Sequence, residues 1–305
     1  MTLAARAPGK VNLCLFVGAP RADGLHPLVS VVQPVSVADE LTLARGGDQD
    51  AVVCPGVEGD NLALRALAAF RAATGWGAPP QTITIAKRVP VAAGMGGGSS
   101  DAAAALRLAA AAAGTPVPAG LAMRLGADVP ALLHGGRVLM MGAGERVEPL
   151  PAPAPFGLVV VPLPAELSTA AVYREFDALG GARGADELAA VEEALREGAQ
   201  PPPDPPEAPA GGPPPAGEVP PVNDLQDAAR RLCPAIDLAL AAVEAAGARH
   251  AMVAGSGPTV YGVLDTLDAA ERAAQHLRAA GYPRALAAAP VGAEFTAVRR
   301  PPASQ

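Results

Sequence analysis

Residues 90 to 106 read PVAAGMGGGSSDAAAAL, and the chemistry open to the whole chain turns on this stretch. Gly94, Gly96, Gly97 and Gly98 lie within five positions, Ser99, Ser100 and Asp101 follow, and an alanine-rich run continues to Gly114. Glycine lacks a Cβ, so successive N–H groups can line a concave surface and approach a ligand closely. A helix opening behind such a loop adds unpaired first-turn N–H groups and the positive end of its dipole. Phosphate is the ligand that this combination suits. Ser99 and Ser100 place hydroxyls where a Mg2+ ion bridging phosphates takes an oxygen ligand. The competing reading is structural: a tight turn with Ser99 or Ser100 as the helix N-cap. Against it, the glycine run is longer than a turn requires.

The flanks fit a cradle. Thr82 to Ile85 alternates as a short strand and leads through Lys87, Arg88 and Pro90 into the glycines. Two commoner nucleotide loops are excluded here. A P-loop requires Lys before Ser or Thr, where this chain has Gly98; a dinucleotide fingerprint begun at Gly94 would need its third glycine where Ser99 stands. What PVAAGMGGGSSDAAAAL does resemble is the ATP-binding motif of the GHMP kinases, the superfamily of galactose, homoserine, mevalonate and phosphomevalonate kinases. The resemblance implies that Pro90, Val91, Ala92, Ala93, Gly94, Met95, Gly96, Gly97, Gly98, Ser99 and Ser100 hold ATP, with Ser99 and Ser100 toward Mg2+.

Composition narrows the setting. The 305 residues are enough for a substantial core and divide most naturally into two domains. No apolar run reaches the ~18 residues of a membrane span, and MTLAARAPGK lacks the basic and apolar regions of a signal peptide. Cys14, Cys54 and Cys233 have no metal-ligand spacing and read as reduced thiols of a cytoplasmic protein. A net charge of -7 argues against a general nucleic-acid binder. Of the 23 lysines and arginines only Lys10 and Lys87 are lysines, so each is a candidate for a place that a guanidinium cannot fill.

Upstream, Ala7 to Val17 (APGKVNLCLFV) reads as a strand on which Lys10 and Asn12, two apart, share a face. In isolation that is an edge strand with an exposed lysine. The longer stretch APGKVNLCLFVGAPRADGLHPLVSVVQPVSVADEL is similar, nearly throughout, to one branch of the GHMP family. That branch phosphorylates a cytidine diphosphate-linked methylerythritol in the non-mevalonate isoprenoid pathway. Its P-x-K-(L/V)-N strand implies an active-site lysine at Lys10, with the asparagine at Asn12. Its R-x-D-G-(Y/F)-H loop falls on Arg21, Asp23, Gly24, Leu25 and His26 and implies contact with the cytidine diphosphate. Leu25 departs from the aromatic often found there, so it offers cytosine apolar contact but no stacking.

Further along, Val29 to Val37 and Glu40 to Leu43 read as two strands around Ala38-Asp39, the first edged or bulged by Pro34. Gly59 to Gly75 reads as a helix capped by Asp60 or Asn61 and stopped by Gly75. A short helix is expected over Ala119 to Leu125. Asp128, two residues before Pro130, suits an N-cap as well as a catalytic carboxylate. The family segment L-G-(A/S)-D-V-P implies the catalytic role. Gly136 to Met141 and Glu145 to Leu150 predict a hairpin, and PAPAP then marks a boundary.

The second half opens on the strand GLVVVPLP and a helix from LSTAAVYREFDAL, with Ser168 or Thr169 as cap. Tyr173 on it is either a core tyrosine or, as the resemblance implies, a wall for cytosine. Residues 200 to 221 (QPPPDPPEAPAGGPPPAGEVPP) predict an extended surface insertion that buries little. Family likeness resumes at Val222-Asn223-Asp224-Leu225. Helices broken at Pro234, two strands around Gly255-Ser256-Gly257, a helix from about Leu267 to Ala280 and a strand near Ala285 to Val291 complete the pattern, with a frayed tail. Gly255, Ser256 and Gly257 match the third GHMP motif, which lies against substrate in the family. The expectation is an α+β chain with the two-domain GHMP kinase fold. Residues 1–152 would form a lobe like ribosomal protein S5 domain 2, and 153–305 a ferredoxin-like α/β sandwich. Neither nucleic acid nor membrane is an expected partner, and monomer and homodimer are both compatible.

Overall fold

A computed structural model describes residues 2–91, 93–198 and 219–301. Ala92 of the glycine loop, the insertion as far as residue 218 and the tail from 302 lie outside the described residues. The chain begins with two long antiparallel strands, β1 (Leu3–Val17) and β2 (Leu28–Arg45). Two strands were expected where β2 is one. Asp39 keeps the middle extended, because its buried carboxylate accepts the N–H groups of Arg88 (2.5 Å) and Val89 (2.8 Å). Register shifts interrupt the β1–β2 ladder between Pro8 and Lys10 and between Asn12 and Cys14.

The far edge of β2 is shared. Its Leu28–Val32 half pairs with β5 (Val138–Gly142), and its Glu40–Arg45 half pairs with β4 (Gln81–Ala86). Pro34 falls in the gap between these partners, where a missing N–H costs no ladder bond. A short β3 (Ala51–Val53), which the sequence pattern did not reveal, runs parallel to β4, and β6 (Arg146–Pro149) closes the expected hairpin with β5. Helices α1 (Leu62–Thr74), α2 (Gly97–Ala113), α3 (Leu121–Leu125) and α4 (Val129–His134) cover one face of this sheet. Asn61 caps α1 through its side chain, accepting Ala63 N–H at 2.9 Å. Ala102, Ala103, Ala104, Ala105 and Leu106 are all buried, since α2 is wedged between α1 and the sheet. Alanine suits a helix enclosed on every side, because larger side chains would hold the layers apart.

The second half is built on β7 (Gly157–Val161), followed by α5 (Thr169–Leu179), α6 (Ala185–Gly198), α7 (Gln226–Leu232) and α8 (Ala235–Ala245). After them come β8 (His250–Val253), β9 (Val260–Leu264), α9 (Leu267–Ala279) and β10 (Leu286–Ala288). The four strands form an antiparallel sheet in the order β10-β7-β9-β8, the ferredoxin-like arrangement. Both faces are buried. Val159 and Val161 meet α8 and α9, while Leu158 and Val160 meet Val11, Leu13 and Phe16 of β1 in another core. That second contact seats the β8–β9 turn over the N-terminal strands.

Two corrections concern the connection into α7. Helix α6 escaped the sequence reading although Leu188, Val191 and Leu195 form an apolar stripe, with Asp186 and Glu187 in its first turn. The expected insertion also ends earlier than 221. Val219 packs on the core beside β1, and Leu15 N–H donates to Val222 O at 2.7 Å, so the chain has rejoined the body by then.

Candidate active site

Lys10 sits on β1 between the two register shifts, and its side chain is turned inward, only 4% exposed. Its ammonium donates to Asn12 Oδ1 at 2.7 Å and lies 3.4 Å from Asp128 Oδ2. Asn12 is held in turn. Its amide donates to Ser30 Oγ at 2.8 Å, that hydroxyl donates to Cys14 O at 2.6 Å, and Tyr261 Oη donates to Asn12 O at 2.7 Å. The network fixes which way the Asn12 amide points, with its oxygen toward Lys10. Ser30 and Tyr261 are supporting residues that sequence reasoning missed, because they come from β2 and β9.

Asp128 occupies the N-cap position of α4 but makes no side-chain cap bond, and its backbone is helical (φ -81°, ψ -16°). The cap reading therefore fails, and the carboxylate is turned to Lys10. A partly exposed carboxylate beside a nearly buried ammonium can orient a hydroxyl and accept its proton.

The glycine loop closes over this pair. Lys10 N–H donates to Met95 O at 2.9 Å. Gly96 has φ +67°, and a Cβ there would lie 3.2 Å from Lys10 Cγ and Cε. Gly94 has φ +69°, and its Cβ would meet Ala254 O at 2.6 Å and Gly257 O at 2.9 Å. Only glycine permits both the left-handed backbone and these approaches. Helix α2 starts at Gly97, earlier than a serine cap would place it, with Gly96 at the N-cap and no side chain capping the first turn. Its N-terminal N–H groups are thereby available to an anion. A Cβ on Gly98 would meet nothing within 4 Å, so the cup is open on that side.

Around it, Val91 is exposed and Pro90 half-buried, whereas Ala93 and Met95 turn their side chains into the core. Ser99 is half-buried beside the turn that carries Asp128: a Cβ on Gly126 would be 3.8 Å from Ser99 Oγ. Ser100 Oγ is buried with no hydrogen-bond partner among the described residues. Gly255 comes to the same place, its Cβ position 3.4 Å from Asn12 Oδ1 and 3.5 Å from Lys10 Nζ. Asn223 holds it there, donating to Val253 O (2.9 Å) and Gly255 O (2.8 Å). Ser256 Oγ lies 3.0 Å from Thr169 Oγ1, and Gly257 packs beside Leu167.

The loop after β1 is fastened by ion pairs and ring contacts. Arg21 pairs with Asp23 (2.8 Å) and Glu145 (3.2 Å), and the Arg21 guanidinium holds the Asp23 carboxyl below its usual range. His26 Nε2 is 2.8 Å from Asp177 Oδ1, and its ring lies 4.8 Å from the Tyr173 ring and 6.2 Å from that of Phe176. Tyr173 and His26, far apart in sequence, are thus neighbours, while Leu25 is 47% exposed. Burial pushes the Tyr173 hydroxyl up to about 12, and the negative charge of Asp128 adds to the effect.

The chain as a whole has known relatives. Family models described as GHMP kinases N terminal domain and GHMP kinases C terminal match residues 61–136 and 218–283. A mevalonate kinase crystal structure shares the fold alone, with TM-score 0.58 at 13% identity over 94% of this chain and 98% of that one. The chain belongs to the GHMP kinases, and its two lobes have that fold.

Its relatives place it more narrowly. The 4-diphosphocytidyl-2-C-methyl-D-erythritol kinase of Streptomyces avermitilis is 39% identical over 301 residues, covering 95% of this chain and 97% of the relative. That of Streptomyces coelicolor is 40% identical over 292 residues, covering 92% and 94%. A crystal structure of 4-(cytidine 5'-diphospho)-2C-methyl-D-erythritol kinase superposes with TM-score 0.73 at 34% identity, covering 95% of this chain and all of that one. Within the GHMP kinases, the chain is a member of the 4-diphosphocytidyl-2-C-methyl-D-erythritol kinase family.

Proposed function

We propose that this protein phosphorylates the 2-hydroxyl of 4-diphosphocytidyl-2-C-methyl-D-erythritol with ATP, in the non-mevalonate (MEP) route to isoprenoid precursors. The observation that carries the proposal is the Lys10–Asp128 pair, 3.4 Å apart, at the mouth of the glycine loop. In this reading the backbone N–H groups from Gly94 to Ser99 cradle the nucleotide phosphates, the Ser100 N–H being bonded to Gly96 O, and Pro90, Val91, Ala93 and Met95 shape the cup around them. Asp128 orients the acceptor hydroxyl and takes its proton; such a positioned base contributes roughly 10²–10⁴-fold to the rate. Lys10 pairs with Asp128 and neutralises charge on the group in transfer. Asn12 aims Lys10, while Gly255, Ser256 and Gly257 line the substrate side. His26 and Tyr173 form the wall for the cytosine base, with Leu25 as an apolar edge.

Among the described residues no group of three or more histidine, cysteine, aspartate or glutamate side chains could hold a metal by itself. The oxygens present fit Mg2+ carried in on phosphate: the Ser100 hydroxyl, without a partner among the described residues, and Ser99 Oγ are hard donors, and Mg2+ characteristically takes few protein ligands. Ser99 and Ser100 would hold it. Its chemistry there is to spread the negative charge of the transferring phosphoryl group.

Residues 1–152 and 153–305 are taken as the two lobes that meet at this site. A cytoplasmic location, consistent with three free cysteines among the described residues, and a monomeric or dimeric state belong to the same proposal. The test is turnover by purified protein with ATP, Mg2+ and a panel of alcohols. Phosphorylation of the cytidyl alcohol, with mevalonate, homoserine and sugars left unreacted, is the expected result. Turnover of one of those instead would make it a different GHMP kinase, and binding of ATP and cytidyl alcohol without turnover would make it a sensor.

A further inference from the structure

Lys87, the second of the chain's two lysines, has no part in the chemistry above, yet it is built into the structure more elaborately than a surface cation requires. It follows β4 directly. Its ammonium lies 2.5 Å from Asp39 Oδ2 and 2.8 Å from Asp101 Oδ2, and both carboxylates are buried, Asp39 fully and Asp101 to 4% exposure. The other Asp39 oxygen accepts Arg88 and Val89 N–H, the first two amides of the approach to the glycine loop. Asp101 stands on α2, just past the serines that end the loop. The Lys87–Asp101 pair therefore joins the two ends of the segment that forms the nucleotide cup, and Asp39 ties that junction to the middle of β2.

Stability alone does not account for such a device. A buried ion pair loses hydration about as fast as it gains attraction, so it adds little to net folding free energy, although breaking it is harmful. What a buried charged network can contribute is a single geometry. The glycines between residues 94 and 98 have no side chains with which to fix their own backbone, and each ordered residue costs conformational entropy. Their conformation must be set from the ends. A compact ammonium with donors in several directions can serve two carboxylates in the space below Gly97, whose Cβ position is 3.5 Å from Nζ and 3.2 Å from Val89 Cγ1. A planar guanidinium is larger and carries its donors in a rigid fork. This matches the persistence of a lysine in an arginine-rich chain.

We propose that Asp39, Lys87 and Asp101 form a buried clamp at the neck of the glycine loop, three positioning residues that hold its amides in the phosphate-binding arrangement. The clamp rests on the nucleotide-cup reading of the proposed function. It acts on nucleotide binding, and its bonds run to Arg88, Val89 and one another, not to Asp128 or Lys10. If loosening the neck leaves the cup formed for one molecule in ten, apparent affinity for ATP falls about tenfold, because the apparent dissociation constant scales inversely with the competent fraction.

The experiment is calorimetric titration of the full chain with ATP and Mg2+ in the absence of alcohol, beside steady-state kinetics and a thermal melt. Lys87→Arg keeps the charge; Lys87→Met/Asp101→Asn keeps the net charge of the triad and serves if the first variant does not fold. Asp101→Asn alone keeps an oxygen that Lys87 can bond. The expected result is an ATP dissociation constant and KM raised about tenfold or more in the first two, with kcat at saturating ATP and the KM for the alcohol within about threefold of wild type. Asp101→Asn should raise the ATP dissociation constant less than either, because its amide oxygen can still accept from Lys87 although the ion pair is gone. Unchanged ATP affinity in both Lys87 variants, with or without a lower melting temperature, would make the triad merely structural and overturn the clamp. A loss confined to kcat would do the same. Wild-type protein that fails to bind ATP at all would overturn the nucleotide-cup reading, and the clamp with it.

Discussion

Gly94→Ala is the most informative single change, because its cost can be worked out from two distances. The backbone at Gly94 has φ +69°, a region that costs an L-residue about 1–2 kcal/mol. The new Cβ would sit 2.6 Å from Ala254 O and 2.9 Å from Gly257 O, both main-chain atoms that cannot swing aside. Carbon and oxygen settle at about 3.4 Å, so the loop around Gly94 and the β8–β9 turn must part by about 0.8 Å. Overpacking of this kind adds about 1–3 kcal/mol, giving a total of about 2–5 kcal/mol. The same movement pulls Gly255 away from Lys10 and Asn12. A misplacement near 1 Å in a catalytic constellation costs about 10²-fold. A thermal melt should therefore drop by several degrees while kcat/KM, followed by ADP release, falls about a hundredfold. Gly98→Ala is the partner experiment: its Cβ meets no protein atom within 4 Å, so stability should hold, while a methyl group on the open side of the cup weakens ATP binding. Wild-type stability and activity in Gly94→Ala would refute the idea that the glycine loop and the β8–β9 turn must touch to form the site.

Three further outcomes are expected. Asp128→Asn should lower turnover by about 10²–10⁴-fold with ATP affinity unchanged by calorimetry, and full activity would return the residue to a structural role. Leu25→Phe should lower the KM for the cytidyl alcohol by about two- to tenfold, since an aromatic at this exposed position adds a stacking face worth about 0.5–1.5 kcal/mol; no change would mean that the base does not lie beside position 25. Burial pushes the Cys14 thiol up to about 12 from its usual 9.0, so the folded state favours the neutral thiol. The stability this contributes is complete below pH 9 and is lost as pH climbs toward 12. Urea midpoints should fall across that window, and Cys14→Ala should make the fall shallower; identical slopes would refute the assignment.

Local chemistry made part of this molecule legible in its sequence. The glycine loop with its strand and helix, the Asn61 cap and the shared face of Lys10 and Asn12 depend on residues within a few positions of each other, and they fold as spacing dictates. Elements fixed by distant partners were misread or unseen. β2 is continuous because Asp39 finds donors 49 and 50 residues away. Asp128 fits an N-cap by pattern, and only the arrival of Lys10 beside it decides otherwise. The hydroxyl of Tyr261 steadies Asn12 from 249 residues along the chain, which no periodicity could reveal. Helix α6 is legible in its own apolar stripe of Leu188, Val191 and Leu195, all local in sequence.

In the proposed function the Lys10–Asp128 pair and the glycine cup serve one transfer reaction. The most direct measurement is a crystal structure with a non-hydrolysable ATP analogue, Mg2+ and the cytidyl alcohol. The terminal phosphate should lie against the amides of Gly96 to Ser99, and the 2-hydroxyl within about 2.6–3.2 Å of the Asp128 carboxylate. A nucleotide bound away from that loop, or an acceptor hydroxyl out of reach of both Asp128 and Lys10, would contradict it.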